Sequence, residues 1–149
     1  DEVRESKEKI TLIPLGPLTN IAAALIGAPD IKGNIERIVL MGGAAYAGNY
    51  SPSAEFNIMV DPEAASFVFN AGIPITMIGL DATHKAQLYR EDIEKFRKMN
   101  KKVATMVAEL MDFYSSFHKT MGFEGSPLHD PLAVAAVLEP DLVTSKNWQ

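Results

Sequence analysis

The chain has 149 residues and a formal net charge of −5, with 47% hydrophobic and 22% charged residues, a composition typical of a globular protein with one domain-sized core. Acidic and basic residues alternate without a basic stripe, and no apolar stretch reaches the roughly 20 residues of a membrane span, so we expect neither a nucleic-acid partner nor a membrane protein. The sequence contains no cysteine, which excludes disulfides and thiolate metal sites and favours hard cations such as calcium or magnesium.

The two ends of the chain predict a fragment of a longer protein. Residues 1–9 are charged, lack an initiator Met and resemble the tail of a helix, whereas residues 141–144 resemble a strand that begins just before the chain ends. No signal-peptide pattern opens the sequence, so we expect a soluble, cytoplasmic protein.

The first half of the chain predicts alternating strands and helices. Residues 10–15 and 37–41 are short apolar runs, each ended by glycine, and both are predicted to be buried strands. Between them, Pro17 suits the first turn of a helix and Gly27 suits its C-terminal end. The apolar face predicted for this helix consists of Leu18, Ile21, Ala22 and Leu25.

A long loop and a third strand follow. Residues 44–57 contain many turn formers and predict a loop, of the kind that is often functional. Asp61 followed by Pro62 predicts the start of a helix that Gly72 closes, and residues 73–80 predict the third strand.

The remainder is predicted to be helical. We expect helices over residues 91–99, from about residue 101 onward and over residues 131–138, with a polar loop at 122–128. The second of these helices carries apolar residues at helical spacing, namely Val103, Val107, Leu110, Tyr114, Phe117 and Met121.

This alternation predicts an α/β fold with a mostly parallel sheet and helices on both faces, a Rossmann-like three-layer arrangement. Ligands of such sheets bind at the carboxyl ends of the strands. In this chain those ends are Leu15 with Gly16, Met41 with Gly42 and Gly43, and Asp81.

The segment that follows the second strand contains Asn49, Glu55 and Asn57. Two amides and a carboxylate can hold several hydroxyl groups at once, so a sugar would suit them. The alternative is that both asparagines only make turns and that Glu55 is solvated.

His129 and Asp130 form a second candidate. Asp130 precedes Pro131 and suits a helix cap, with His129 on the surface, but a carboxylate there can also ligate a cation, and an imidazole can protonate a leaving group. Asp61 before Pro62 is assigned to capping alone.

Three further features are weaker. Asp81, at the end of the third strand, and nearby His84 could contribute to a site or an interface, although His84 and His118 are expected to be structural. Gly42 and Gly43 lack the spacing and the following Lys-Ser/Thr of a phosphate loop.

Four blocks of the sequence closely resemble the inosine-uridine nucleoside hydrolase family. They are residues 13–20, residues 39–43, residues 54–58 with 61–65, and the pair His129-Asp130, in the family's order and spacing. The resemblance covers nearly the whole chain and implies a calcium-dependent enzyme of purine or pyrimidine salvage. Such an enzyme cuts the N-glycosidic bond of ribonucleosides to ribose and free base with a calcium-bound water.

The resemblance also implies roles for individual residues. The backbone carbonyl of Leu15 and the carboxylate of Asp130 would ligate Ca²⁺, and His129 would protonate the departing base. The ribose would be bound by Met41, Asn49, Glu55, Phe56 and Asn57. The presence of His129 resembles the broad or pyrimidine-accepting branch of the family.

The family's N-terminal aspartate-rich strand, Asp-x-Asp-x-x-x-Asp-Asp, has no match in this chain. We therefore interpret residues 1–149 as one partial domain without that strand and without the C-terminal portion, and expect the isolated chain to be inactive although its full-length parent is active. The family implies a homo-oligomer, a dimer or tetramer. Two alternatives stay open: a non-catalytic ribose- or nucleoside-binding protein of the same fold, and an unrelated doubly wound protein.

Overall fold

The computed structural model of the chain describes residues 1–147, which divide into two compact units. The larger unit contains residues 1–82 and those from 129 onward, and the smaller contains residues 83–128. In chain order the elements are α1 (Glu2–Glu5), β1 (Ile10–Leu12), α2 (Thr19–Gly27), β2 (Ile35–Met41), α3 (Phe56–Val60), α4 (Pro62–Phe69), β3 (Ile75–Ile78), α5 (Leu80–Thr83), β4 (Gln87–Leu88), α6 (Arg90–Lys98), α7 (Lys102–Thr120), β5 (Ser126–Pro127) and α8 (His129–Leu138). The prediction of a single domain stays a prediction.

The larger unit is built on a parallel sheet of three strands in the order β1-β2-β3. All three predicted strands are present, but β1 and β3 are shorter than predicted. Proline has no N–H for the hydrogen-bond ladder, which explains why β1 ends before Pro14 and β3 begins after Pro74. At the other end of β3, Leu80 already belongs to α5 rather than to the strand.

The helices cover both faces of this sheet, as predicted. Ile38 and Leu40 of β2 point to one face and are buried with residues of α2 and α4. The intervening Val39 and Met41 point to the other face, and α8 packs against β2. The largest fully buried apolar side chains of this unit are Leu18, Leu25, Ile38, Leu40, Val68 and Leu80. Each contributes about 1.5–3 kcal/mol by leaving water.

The start of α4 lies where the sequence predicted it. Asp61 caps α4 by accepting a hydrogen bond from the Ala64 N–H at 3.0 Å, and Pro62 is the first helical residue, as predicted. The Thr19 hydroxyl also donates to the Asp61 carboxylate, which links α2 to α4. These two bonds hold the pKa of Asp61 below its usual value, the bond from Thr19 having the larger effect.

Two further predictions of secondary structure in the larger unit were wrong. Residues 141–144 form no strand, because Pro140 opens a 3-10 turn over Pro140–Leu142. The loop predicted over residues 44–57 ends early, since Phe56 and Asn57 already lie in the short helix α3.

The smaller unit consists of α6 and α7, which pack against each other, and an antiparallel pair formed by β4 and β5. The polar loop predicted at 122–128 was wrong at Ser126 and Pro127, which form β5. The helical spacing of α7 was correct, but its predicted apolar residues are mainly exposed and its buried positions are Ala104, Ala108 and His118.

Both histidines of this unit are in packed surroundings. His118 is buried, its Nδ1 lies 3.0 Å from the Tyr114 carbonyl oxygen, and its ring contacts Tyr114 and Phe123. His84 packs edge-on against Phe123 with ring centroids 5.2 Å apart. These contacts fit the structural roles predicted for them. Among residues 1–147, no helix is long and apolar enough to cross a membrane.

Candidate active site

The ends of β1 and β2 lie side by side. The carbonyl of Pro14 accepts a hydrogen bond of 3.0 Å from the N–H of Met41, the last residue of β2. This bond places Leu15, the next residue after Pro14, beside the carboxyl end of the central strand. The carbonyl predicted to ligate a cation and the predicted ribose-contacting Met41 therefore lie at the same edge of the sheet.

Glu55 is held at this edge by backbone hydrogen bonds. Its Oε2 accepts from the Gly43 N–H at 2.9 Å and from the Ile58 N–H at 3.2 Å, and the second bond caps α3. Only 4% of Glu55 is exposed, so the alternative that it is solvated was wrong. Within residues 1–147 its second oxygen, Oε1, receives no hydrogen bond, which leaves one acceptor of a fixed carboxylate for another group.

Asn57 is fixed in a similar way. Its Nδ2 donates to the carbonyl of Met41 at 3.0 Å, and only 9% of the residue is exposed. Because the two donors of the amide sit on Nδ2, its Oδ1 is available to accept, and no described residue donates to it. Glu55 and Asn57 thus lie two positions apart in the sequence, each connected to the end of β2.

A tight turn carries Asn49. The carbonyl of Ala54 accepts three N–H groups, from Asn49 at 3.1 Å, Tyr50 at 3.0 Å and Ser51 at 3.3 Å. The Asn49 Oδ1 accepts the Phe56 N–H at 2.9 Å, so this residue does organise the turn, as the alternative interpretation held. Its Nδ2 donates to no other residue in the range 1–147, and Asn49 is exposed.

Two aromatic side chains border the turn. Phe56 is 50% exposed, and its ring centroid lies 6.1 Å from that of Tyr50 in a tilted arrangement. An exposed aromatic ring next to buried polar acceptors is typical of a site for a ligand with both apolar and hydroxyl groups.

Asp130 lies near Glu55. Partial burial raises the pKa of the Asp130 carboxyl above its usual value, and the negative charge of Glu55 raises it further. The helix α8 begins at His129, so Asp130 lies in the first turn and the prediction that it is the cap was wrong. His129 is the first residue of the same helix.

The structure therefore brings five of the predicted residues together at one edge. Met41, Glu55 and Asn57 are joined by hydrogen bonds, Asp130 is electrostatically coupled to Glu55, and Leu15 is adjacent through Pro14. No group of three or more His, Cys, Asp or Glu residues that could hold a metal ion occurs among residues 1–147.

The sequence named Gly43 and Asp81 at strand ends but did not predict the hydrogen bonds by which they support the site. Gly43, predicted to end the second strand, provides the N–H that binds Glu55 and has a positive φ of 73°. Asp81 accepts a hydrogen bond from the Ala45 N–H. The glycine after an apolar run was a usable signal for a special backbone position, whereas the partner of Asp81 lies 36 residues away and had none.

Comparison with known proteins identifies a family for this chain. The family model described as inosine-uridine preferring nucleoside hydrolase matches residues 1–149. The pyrimidine-specific ribonucleoside hydrolase RihA of Photobacterium profundum is 57% identical over 145 residues, 96% of this chain and 47% of that protein. The protein of the same description from Escherichia coli (strain K12) is 53% identical over 149 residues, 98% of this chain and 48% of that protein.

A solved structure is similar over the same stretch. The purine-preferring ribonucleoside hydrolase from Gardnerella vaginalis matches with a TM-score of 0.91 and 44% identity, over 97% of this chain and 46% of that chain. The chain thus spans about half the length of the relatives that it matches.

Proposed function

Because the chain belongs to the inosine-uridine preferring nucleoside hydrolase family, we propose that the protein of which it is part hydrolyses the N-glycosidic bond of ribonucleosides to ribose and free base. One observation carries the proposal most directly. At the carboxyl end of the central strand, Glu55 is buried and fixed through Oε2, while its Oε1 and the Asn57 Oδ1 accept no bond from residues 1–147. Two fixed acceptors two positions apart in the sequence suit the hydroxyl groups of a ribose.

The chain's own residues would act mainly on the sugar. Glu55, Asn57 and Asn49 would bind the ribose hydroxyls, with Met41 and Phe56 against its carbon skeleton. As the bond from C1′ to the base nitrogen breaks, the ring flattens and gains oxocarbenium character. A water oxygen bonds to C1′ and the water loses one proton, which balances the proton that the departing base takes up. Groups that are already fixed by the fold stabilise this state without reorganising, so their hydrogen bonds lower the barrier rather than only the KM.

His129 would handle the leaving group. A departing base takes the electron pair of the broken bond and needs a proton on nitrogen, which an imidazole can donate near neutral pH. His129 stands next to Asp130 at the start of α8, and Asp130 is coupled to Glu55, so the acid would stand at the same edge as the ribose-binding residues.

The family is typically metal-dependent, and the residues here fit one part of a calcium site. The raised pKa of Asp130 beside Glu55 indicates two carboxylates that a cation would stabilise, and carboxylate and carbonyl oxygens are the ligands Ca²⁺ prefers. We propose that Asp130 and the Leu15 carbonyl would hold it together with ligands from outside this chain. When bound, the ion lowers the pKa of water and so makes it a better nucleophile.

We further propose that pyrimidine ribonucleosides are the better substrates. The RihA relative with 57% identity is described as pyrimidine-specific, whereas the neighbour described as purine-preferring is 44% identical. A comparison of kcat/KM for uridine, cytidine and inosine tests this; a higher value for inosine would reverse it. The cytoplasmic location and the homo-oligomeric assembly stay predictions.

The central experiment measures release of base by the full-length parent. The protein is first treated with a chelator to remove bound metal, and release is then compared without added metal and after addition of Ca²⁺. We expect calcium-dependent release, and no measurable release by residues 1–149 alone. Glu55→Gln, which keeps an oxygen for the Gly43 N–H, and Asn57→Ala should each lower kcat/KM at least about hundredfold. The control Glu63→Ala removes an exposed carboxylate of α4 and should leave the rate unchanged.

The outcome also separates the alternative function. A full-length protein that binds ribose in a Glu55-dependent manner, yet releases no base under any metal condition, would be a binding protein rather than an enzyme. If Glu55→Gln kept both ribose binding and activity, both interpretations would be contradicted.

A further inference from the structure

The start of α5, just after β3, fixes the segment that leaves β2. The Leu80 N–H donates to the carbonyl of Gly43 at 2.9 Å, and the Asp81 carboxylate accepts the N–H of Ala45. A methyl group at Gly79 would lie 2.9 Å from the Gly43 carbonyl oxygen, so the two backbones are in close contact. The backbone around Gly43 and Ala45 is therefore held from the β3 side by two hydrogen bonds.

The same segment orients Glu55. The Gly43 N–H donates to Glu55 Oε2 at 2.9 Å, and the carbonyl of the same residue is one of the two groups bound by Leu80 and Asp81. Its φ of 73° is a conformation that only glycine adopts at low cost, and this conformation aims the N–H. A continuous chain of bonds thus runs from Asp81 through Ala45 and Gly43 to the carboxylate of Glu55.

From this chain of bonds we propose that Asp81 is a positioning residue for Glu55. The proposal rests on the proposed function, in which Glu55 binds a ribose hydroxyl. Asp81 itself does not contact substrate. Its carboxylate fixes the Ala45 N–H, which keeps the Gly43 N–H directed at Glu55 Oε2 and so leaves Oε1 facing the substrate. Without Asp81, the Ala45 end of the segment 43–45 loses its bond, and the bonds of Gly43 to Leu80 and Glu55 remain to hold the segment.

The competing interpretation is that Asp81 only stabilises a turn. A merely structural residue would change the folded fraction of the protein and not the kinetics of the folded enzyme. A positioning residue changes kcat more than KM, because a small displacement of Glu55 matters most when its hydrogen bond strengthens in the transition state.

The test compares Asp81→Ala and Asp81→Asn in the full-length parent, at a temperature where both are folded. Asp81→Ala should lower kcat/KM about tenfold to hundredfold, mainly through kcat. Asp81→Asn keeps a side-chain oxygen that accepts the Ala45 N–H and should remain within about threefold of the parent. The matched control is Asp61→Ala, which also removes an acceptor of a backbone N–H but has no bond to Gly43; it should lower the melting temperature and leave kcat/KM unchanged.

A panel of substrates makes the assignment specific to Glu55. The 2′-, 3′- and 5′-deoxynucleosides each lack one hydroxyl. The loss of kcat/KM caused by Glu55→Gln should be smaller for the analogue that lacks the hydroxyl bound by Glu55. If Asp81 acts through Glu55, the effect of Asp81→Ala should shrink for the same analogue.

The outcomes separate the two proposals. An active parent with unchanged kinetics in Asp81→Ala, or a loss that Asp81→Asn does not restore, or a loss equal for all analogues, would overturn the role of Asp81 while leaving the proposed function intact. A parent that cleaves none of the nucleosides would overturn the proposed function, and the role of Asp81 with it.

Discussion

Replacing Gly48 by alanine should damage the site by a displacement that the structure allows us to estimate. A methyl group at Gly48 would lie 2.2 Å from the Ala54 carbonyl oxygen and 2.4 Å from its carbonyl carbon and nitrogen. These are backbone atoms, so no side chain can turn aside to make room. Restoring an ordinary contact requires the two sides of the turn to separate by about 1 Å.

That separation would move residues on which the proposed chemistry depends. Ala54 precedes Glu55 directly, and its carbonyl holds the N–H groups of Asn49, Tyr50 and Ser51. A misplacement of about 1 Å in a catalytic site can cost about a hundredfold in rate, equivalent to about 2.7 kcal/mol of transition-state stabilisation. We therefore expect kcat/KM of Gly48→Ala in the full-length parent to fall about hundredfold.

The assay is release of base, with Gly33→Ala as the matched control. A methyl group at Gly33 meets no atom within 4 Å, so this variant should stay within about twofold of the parent. Both proteins are first shown to be folded by circular dichroism and thermal unfolding. A folded Gly48→Ala protein with kcat/KM within threefold of the parent would refute the argument that this turn positions the site.

Two further predictions concern stability. The ionised form of Asp130 is disfavoured in the folded protein, so its folded pKa exceeds its unfolded pKa and stability falls as pH rises through the ordinary range for aspartate. Asp130→Asn should therefore raise the unfolding midpoint at about pH 7 in the presence of EDTA, with the gain lost near pH 3, and a lower midpoint at pH 7 would contradict this. Ile38→Ala on the central strand should cost about 2–5 kcal/mol in urea unfolding, whereas the exposed Ile26→Ala should cost less than about 0.5 kcal/mol, and equal losses would refute the assignment of the core.

The sequence was sufficient for elements whose signals are local. The strand ended by Gly42 and Gly43 and the helix opened by Asp61 and Pro62 could be predicted because apolar runs, caps and prolines act within a few residues. The helix Phe56–Val60 was missed because five residues are too few to show a period, and its cap, Glu55, was considered only as a ligand-binding residue.

Other features depend on distant partners. The pairing of Gln87 with Pro127 joins segments that lie 40 positions apart, and strands of two residues have no recognisable period. Likewise, the choice of residues in the segment 49–57 came from its polar composition and the family resemblance, but the burial of Glu55 and its bond to Gly43 depend on the fold. Sequence therefore named the candidate residues, while their orientation became visible only in the structure.

The convergence of three amides on the Ala54 carbonyl has a consequence for motion. Hydrogen bonds that share one acceptor cannot be broken piecemeal by a small rotation of that carbonyl, since turning it away releases all three donors together. The segment should accordingly exchange its amide hydrogens with solvent as one cooperative block instead of fraying from one end. A local opening that lets product leave would then have to occur outside this block, or it would have to open the whole block in a single event.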